Sequence, residues 1–249
     1  METINALKQC GEKCVRIDIQ DSQYPDRVKR IMKKRAPQRL YMLGNIELLN
    51  IPGIGFCGSR KANQKGLETA ASCAEEIAGN NISVISGNAI GIDLAVHVSS
   101  LKSGGRTIFV LPEGINHFRI KKILAGFWDW NRVLVISQFE PEDSWQTFRA
   151  MTRNQLIIAL SHAMVVIEAS EKGGTISAGK ETIRVGLPLF VAQYKNILEQ
   201  AKGNQILLEM GAQKLAKSKS TNTANFSKIF KKIKEDKLMT SLTEQHSLL

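Results

Sequence analysis

Four cysteines, six prolines, three tryptophans and three tyrosines are all that this chain of 249 residues carries of those types, and each scarcity excludes something. Cys10, Cys14, Cys57 and Cys73 are too few for the disulfide framework of a small secreted domain, and two of them fall inside strand or helix patterns where a buried thiol is ordinary. Cys10 and Cys14 have no second pair at zinc-finger spacing, and His97, His117, His162 and His246 lie far apart with no H-E-x-x-H, so no metal site is expected. A G-x-S-x-G nucleophile elbow is absent. No apolar run approaches the roughly 18 residues of a spanning helix, and METINALKQC lacks a signal-peptide core, so a cytoplasmic protein without membrane partners is expected. Acid is also short: 34 Lys and Arg against 23 Asp and Glu leave a net charge of +11 and a pI near 9.6. That balance favours a polyanion, nucleic acid first and an anionic membrane surface second.

What is present is a recurring alternation. Apolar runs near 54–57, 82–86, 106–111, 132–136, 163–168 and 188–192 alternate with helical segments, which predicts an α/β, Rossmann-like fold with a mostly parallel sheet and helices on both faces. Leu67, Ala70, Ala71, Ala74, Ile77 and Ala78 place one apolar stripe on a crossover helix that stops at Gly79-Asn80. Further helices are expected after Gly91, from an Asp143 N-cap through Phe148, Met151, Leu156 and Ala159 as its apolar positions, and from Gly173-Gly174-Thr175 to near Gly186. This Rossmann-like domain is expected over 46–212. Residues 1–45 read as a basic extension, because 24–39 hold Arg27, Lys29, Arg30, Lys33, Lys34, Arg35 and Arg39 against Asp26 alone. Residues 213–249 read as a linker and a short helical tail, whose Phe226, Ile229, Phe230 and Ile233 face away from Lys228, Lys231, Lys232 and Lys234. That apolar stripe needs covering, which assigns the tail to partner or dimer contacts.

In a parallel sheet, ligands bind beyond the carboxyl ends of the strands, where helix amino ends present N–H groups. Three glycine-bearing corners fall there. Ser86-Gly87-Asn88-Ala89-Ile90-Gly91 joins the second strand to a helix, either as a cradle for a phosphate or as a bare turn. Gly58-Ser59-Arg60-Lys61 adds a hydroxyl and two cations after the first strand. Lys172-Gly173-Gly174-Thr175 follows the fifth. Arg153 and Asn154, on the helix before the fifth strand, are candidates to clamp a phosphate, with a pairing of Arg153 to Glu181 as the other possibility. Phe118, Trp128, Trp130 and Trp145 either stack on bases or pack in the core. Two literal motif matches are set aside. Gly53 to Gly58 fits G-x-G-x-x-G but lies inside a strand, and Gly174 to Lys180 is followed by Glu181 where a P-loop needs Ser or Thr.

Taken in order, Tyr24-Pro25, Leu40 to Asn45, Gly58-Ser59-Arg60, Ser86-Gly87, Gly91-Ile92-Asp93, His97, Gly104 to Thr107, Arg153-Asn154, Leu160-Ser161, Val166 to Ala169, Gly203-Asn204 and Gly211-Ala212 resemble the DNA-processing protein DprA (Smf) family. The resemblance spans about 22–212. It implies a single-stranded DNA-binding protein that needs no cofactor, forms homodimers and hands DNA to the RecA recombinase in natural transformation. It also implies that the three corners, with Arg153 and Asn154, line one groove. Ile90 stands where the family commonly has Arg. Arg153, Gly173-Gly174-Thr175 and Glu181 are partly similar to LOG-type nucleoside-monophosphate phosphoribohydrolases, which gives an enzymatic alternative with Arg153 gripping phosphate and Glu181 stabilising a ribosyl cation or steering a water. A nucleotide-sensing module is a third reading.

Overall fold

The computed structural model describes residues 14–194, 201–217, 224–231 and 233, together with the backbone of 3–5. Cys10, Lys195, Lys232, Lys234 and His246 lie outside them. In chain order the strands are β1 (Thr3–Asn5), β2 (Val15–Asp18), β3 (Arg39–Gly44), β4 (Gly53–Gly58), β5 (Ser83–Ser86), β6 (Arg106–Val110), β7 (Arg119–Lys121), β8 (Val133–Ser137), β9 (Ala163–Ile167), β10 (Leu189–Val191), β11 (Gln213–Lys214), β12 (Ala216–Lys217) and β13 (Ala224–Asn225). The helices are α1 (Asp26–Met32), α2 (Gln64–Ala78), α3 (Ile92–Lys102), α4 (Lys122–Ala125), α5 (Thr147–Leu160), α6 (Gly174–Arg184) and α7 (Lys202–Glu209).

One nine-stranded sheet, ordered β11-β10-β9-β4-β5-β6-β8-β3-β2, organises the chain. Neighbours from β11 to β8 are parallel, β3 runs antiparallel to β8, and β2 antiparallel to β3. The six expected strands are β4, β5, β6, β8, β9 and β10. Because helices cover both faces, inner strands such as β8 (Val-Leu-Val-Ile-Ser) and β9 (Ala-Met-Val-Val-Ile) bury every residue, the near-continuous apolar pattern of a parallel sheet. Val28 and Met32 of α1, Leu156 and Ile157 of α5, Ile176 of α6 and Leu207 of α7 close one face. Ala70, Cys73, Ala74 and Ile77 of α2 pack in one cluster of the other face, and Val98 and Leu101 of α3 join a second with Phe109 and Phe118.

The order of strands fixes where a ligand can go. The chain builds β4, β5, β6 and β8 outward on one side, then returns to lay β9 on the other side of β4. Crossovers on either side of β4 diverge, which in open α/β sheets assigns the ligand position to the carboxyl ends of β4 and β9.

Three segments differ from expectation. Residues expected as a basic extension supply β2 and β3 to the main sheet, and α1 packs on α5. The helix expected to start at Asp143 starts at Thr147, with Gln146 at the N-cap. Asp143 instead accepts the Glu140 N–H at 3.1 Å and pairs with Arg149 at 2.7 Å; a short acidic side chain so placed stabilises a turn in competition with a helix. In the tail, Phe226, Ile229 and Ile233 are buried in the cluster beneath α2, and the Ala224 N–H donates to Ser72 Oγ at 3.0 Å. The apolar stripe assigned to a partner is therefore covered by the chain's own core.

Candidate nucleic-acid interface

The carboxyl ends of β9, β4 and β5 are adjacent, and the three corners that follow them touch. Gly58 C=O accepts the Thr175 hydroxyl at 3.2 Å. Ser59 N–H donates to Ile167 O at 3.3 Å, and Ser59 O accepts the Ile92 N–H at 3.2 Å. The Ser59 hydroxyl accepts the Lys61 N–H at 3.0 Å, closing the loop that carries both cations. Gly91 has φ 80°, and a Cβ there would stand 2.3 Å from Ser59 O. Only glycine permits both that backbone and that approach. The Asn154 side chain donates to Gly174 O at 3.5 Å, tying α5 to the corner headed by Gly173. Arg60, Lys61 and Lys172 are exposed at the rim, and among the described residues no carboxylate pairs with any of them. The amino ends of α2, α3 and α6 open on this edge and add positive potential.

The inner side of the Ser86–Gly91 corner is arranged differently from the expected cradle, because an anion of the chain already occupies it. Ala89 N–H donates to Asp93 Oδ2 at 3.3 Å, and Arg153 Nη1 lies 3.8 Å from the same oxygen. Burial pushes the Asp93 carboxyl up from its ordinary range, with the Arg153 charge opposing. Arg153 is itself buried and donates to Val110 O at 3.1 Å. A Cβ on Gly87 would stand 1.4 Å from Arg153 Nη1, so the glycine makes room for a guanidinium of the protein. Ser86 is buried and its hydroxyl donates to Phe56 O at 2.9 Å. Arg153 thus faces inward with Ala150 and Ile157 on the buried side of α5, and its charge is committed to Asp93.

The expected pairing of Arg153 with Glu181 does not form. Glu181 lies 2.9 Å from Arg35 and 2.6 Å from Arg184, and those hydrogen-bonded guanidiniums, Arg184 foremost, hold its carboxyl well below the usual range, at about 2. Both Glu181 oxygens are engaged by these two guanidiniums. Arg153 and Glu181 belong to separate ion pairs, and the two-residue set of the phosphoribohydrolase alternative is not assembled.

Sequence reasoning missed Lys121. Its ammonium donates to Asn88 O at 2.8 Å and also contacts Asn88 Oδ1, so the oxygens of Asn88 are engaged within the corner. Burial pushes the Lys121 ammonium down, while Asp93 and Glu113 oppose. Its signal was faint: Lys121 flanks the buried Ile120 in a strand of three residues. His97 supports the same corner from below. Its Nε2 lies 2.7 Å from Gly87 O and its ring stacks on Phe109 at 3.7 Å. Burial lowers its pKa to about 3, so the ring is neutral; a carbonyl only accepts, which makes Nε2 the protonated nitrogen. Phe118 and Trp128 pack on Phe109, and Trp130 packs edge-on against Trp128, in one aromatic cluster. Trp145 differs: it is exposed with Phe148 and Met151 at the start of α5, and Ile90 is exposed on its corner.

The model of the family described as DNA recombination-mediator protein A matches residues 16–226. The DNA processing protein DprA of Streptococcus pneumoniae is 29% identical over 204 residues, 81% of this chain and 71% of that protein. DprA of Bacillus subtilis is 30% identical over 200 residues, 79% of this chain and 66% of that one. Among solved structures, S. pneumoniae DprA superposes with a TM-score of 0.72 at 27% identity, covering 84% of this chain and 73% of its own. DprA of Helicobacter pylori, solved for its single-stranded DNA binding mode, has a TM-score of 0.72 at 23% identity over 90% of this chain and 97% of its own, a likeness of fold.

Proposed function

This chain belongs to the DNA recombination-mediator protein A family, and from that premise we propose that it binds single-stranded DNA across the carboxyl ends of β9, β4 and β5. The observation that carries the reading is the contact of three corners, Gly58–Lys61, Asn88–Gly91 and Lys172–Thr175, through Thr175 to Gly58 and Ser59 to Ile92. Arg60, Lys61 and Lys172 stand along the rim with no carboxylate partner among the described residues. Cations on short loops grip phosphates without reading bases, so binding is sequence-tolerant and strongly salt-dependent. Gly87, Ser86 and Arg153 serve from beneath: they hold the corner in shape through Asp93 and leave phosphate contact to the rim.

Exposed Trp145 and Phe148 at the head of α5 suit a strand whose bases are splayed out, since each aromatic face that stacks on a base contributes about 1–3 kcal/mol. A duplex keeps its bases inside and forgoes that contribution. The single-stranded ligand named for the H. pylori relative agrees with this preference. The activity is binding and transfer, not turnover. In the cell this chain acts as a cytoplasmic homodimer that passes incoming strands to RecA during natural transformation, the role that its resemblance to the DprA (Smf) family implies.

Competition tests the reading. A labelled single strand bound to the protein is displaced by unlabelled single strand well before equal duplex or a large molar excess of nucleoside monophosphate. Displacement by the monophosphate at comparable concentration, or release of free base from it, contradicts the proposal.

A further inference from the structure

Among the described residues, positive charge also gathers away from the strand-tip corners. Helix α1 runs into the 3-10 turn Lys33–Arg35, and Arg30, Lys33, Lys34 and Arg35 are all exposed. Among the described residues no carboxylate pairs with Arg30, Lys33 or Lys34. Arg35 is held in place: its guanidinium lies 2.9 Å from Glu181 Oε1, and Arg184 donates to both oxygens of the same carboxylate at 2.6 Å. One acid between two guanidiniums leaves the junction positive. Because Arg35 and Glu181 are 146 positions apart in the chain, the fold builds this junction; local sequence does not.

The junction leads back to the proposed interface. Lys180 is exposed on α6 four residues before Arg184 and therefore on the same helix face. Among the described residues no carboxylate pairs with it. Helix α6 begins at the Gly173 corner, beside Lys172, and its 11 residues span about 16 Å at the helical rise. Cations thus recur from Lys172 through Lys180 and Arg184 to Arg35, Lys34 and Lys33, with exposed Glu171 at the upper end and Glu181 already neutralised.

Separated point charges along a path of this length suit a linear polyanion better than a compact one, which needs donors converging on a single point. A lipid surface is the other extended anion, but interfacial binding needs apolar side chains to insert. The exposed large apolar residues, Ile90, Ile123, Phe127, Trp145, Phe148, Met151 and Met210, are not among the residues of α1, the 3-10 turn or α6. We propose that the outer face of α6 and the Lys33–Arg35 turn continue the nucleic-acid path, so that a strand leaving the Gly173 corner runs along them. The inference rests on the single-strand binding proposed above and lengthens its footprint.

Oligonucleotides of about 6 and about 20 nucleotides, bracketing common site sizes, separate the two claims when titrated against wild type, Lys33→Gln/Lys34→Gln and Arg60→Ala/Lys61→Ala. The Lys33/Lys34 variant binds the short strand as wild type does, binds the long strand about tenfold more weakly, and loses about 1.4 from the slope of log affinity against log salt, since each single-strand phosphate contact contributes about 0.7. The Arg60/Lys61 variant weakens both lengths. Equal binding of the long strand by wild type and the Lys33/Lys34 variant overturns the extended path while leaving the strand-tip site standing. Failure of wild type to bind either length overturns both claims. Loss of binding to vesicles containing phosphatidylserine in the Lys33/Lys34 variant, with no change on the long strand, overturns the path in favour of a membrane contact.

Discussion

Replacing Gly87 by Ala tests whether the strand-tip corner is shaped around a guanidinium. The added methyl would sit 1.4 Å from Arg153 Nη1, 2.3 Å from its Cζ and 2.4 Å from Asp93 Oδ2, so the guanidinium has to leave. Its departure removes the hydrogen bond to Val110 O and strands the Asp93 carboxylate in a buried site. Breaking a buried pair from one side costs about 3–5 kcal/mol, and Gly87→Ala is expected to lose that much in urea unfolding at pH 7. Arg153→Ala loses a similar amount for the same reason. The double variant decides the mechanism. With Arg153 truncated, Asp93 can shift into the vacated volume, so Gly87→Ala/Arg153→Ala loses no more than Arg153→Ala to within about 0.5 kcal/mol. A double-variant loss equal to the sum of the single losses refutes the reasoning, as does a Gly87→Ala cost under about 1 kcal/mol.

Buried His97 gives a pH signature: its pKa falls from 6.5 to about 3 on folding, so its contribution is complete above 6.5 and lost as pH falls from 6.5 toward 3, by about 2 kcal/mol at pH 5. Urea midpoints at pH 7 and 5 show that extra loss in wild type and not in His97→Gln; equal losses contradict the assignment. Phe226 is fully buried, and Phe226→Ala destabilises by about 3–5 kcal/mol, measured by thermal or urea unfolding; an unchanged midpoint means the tail does not seal the core. Burial pushes the Cys57 thiol up to about 12, so it resists alkylation in the native protein and reacts once urea unfolds the chain; mass spectrometry of the labelled peptide reads the difference.

The middle of the fold was legible because its signals are local. The runs Val133 to Ile136 and Ala163 to Ile167 are apolar without interruption, and Gly91, Gly173 and Gly186 punctuate the helices where left-handed backbone is required. The edges were not. Arg39-Leu40-Tyr41-Met42-Leu43-Gly44 forms a strand, yet the surrounding cations dominated its reading, and its place beside β8 depends on pairing across the chain. At the site, the corners themselves were visible as glycines at strand ends. Which face of α5 points inward was not: Phe148 and Met151, expected on its apolar stripe with Leu156 and Ala159, are exposed, while the charged Arg153 is buried. Its burial follows from Asp93 and Gly87, both far from it in the chain. Lys121 and the Arg35–Glu181–Arg184 junction are likewise products of tertiary contact.

The most direct measurement is the salt dependence of single-strand affinity for wild type and for Arg60→Ala/Lys61→Ala. Two fewer phosphate contacts lower the slope of log affinity against log salt by about 1.4, with weaker binding that does not depend on base sequence. An unchanged slope and affinity in the double variant contradict the claim that cations at the tips of adjacent strands hold the DNA backbone.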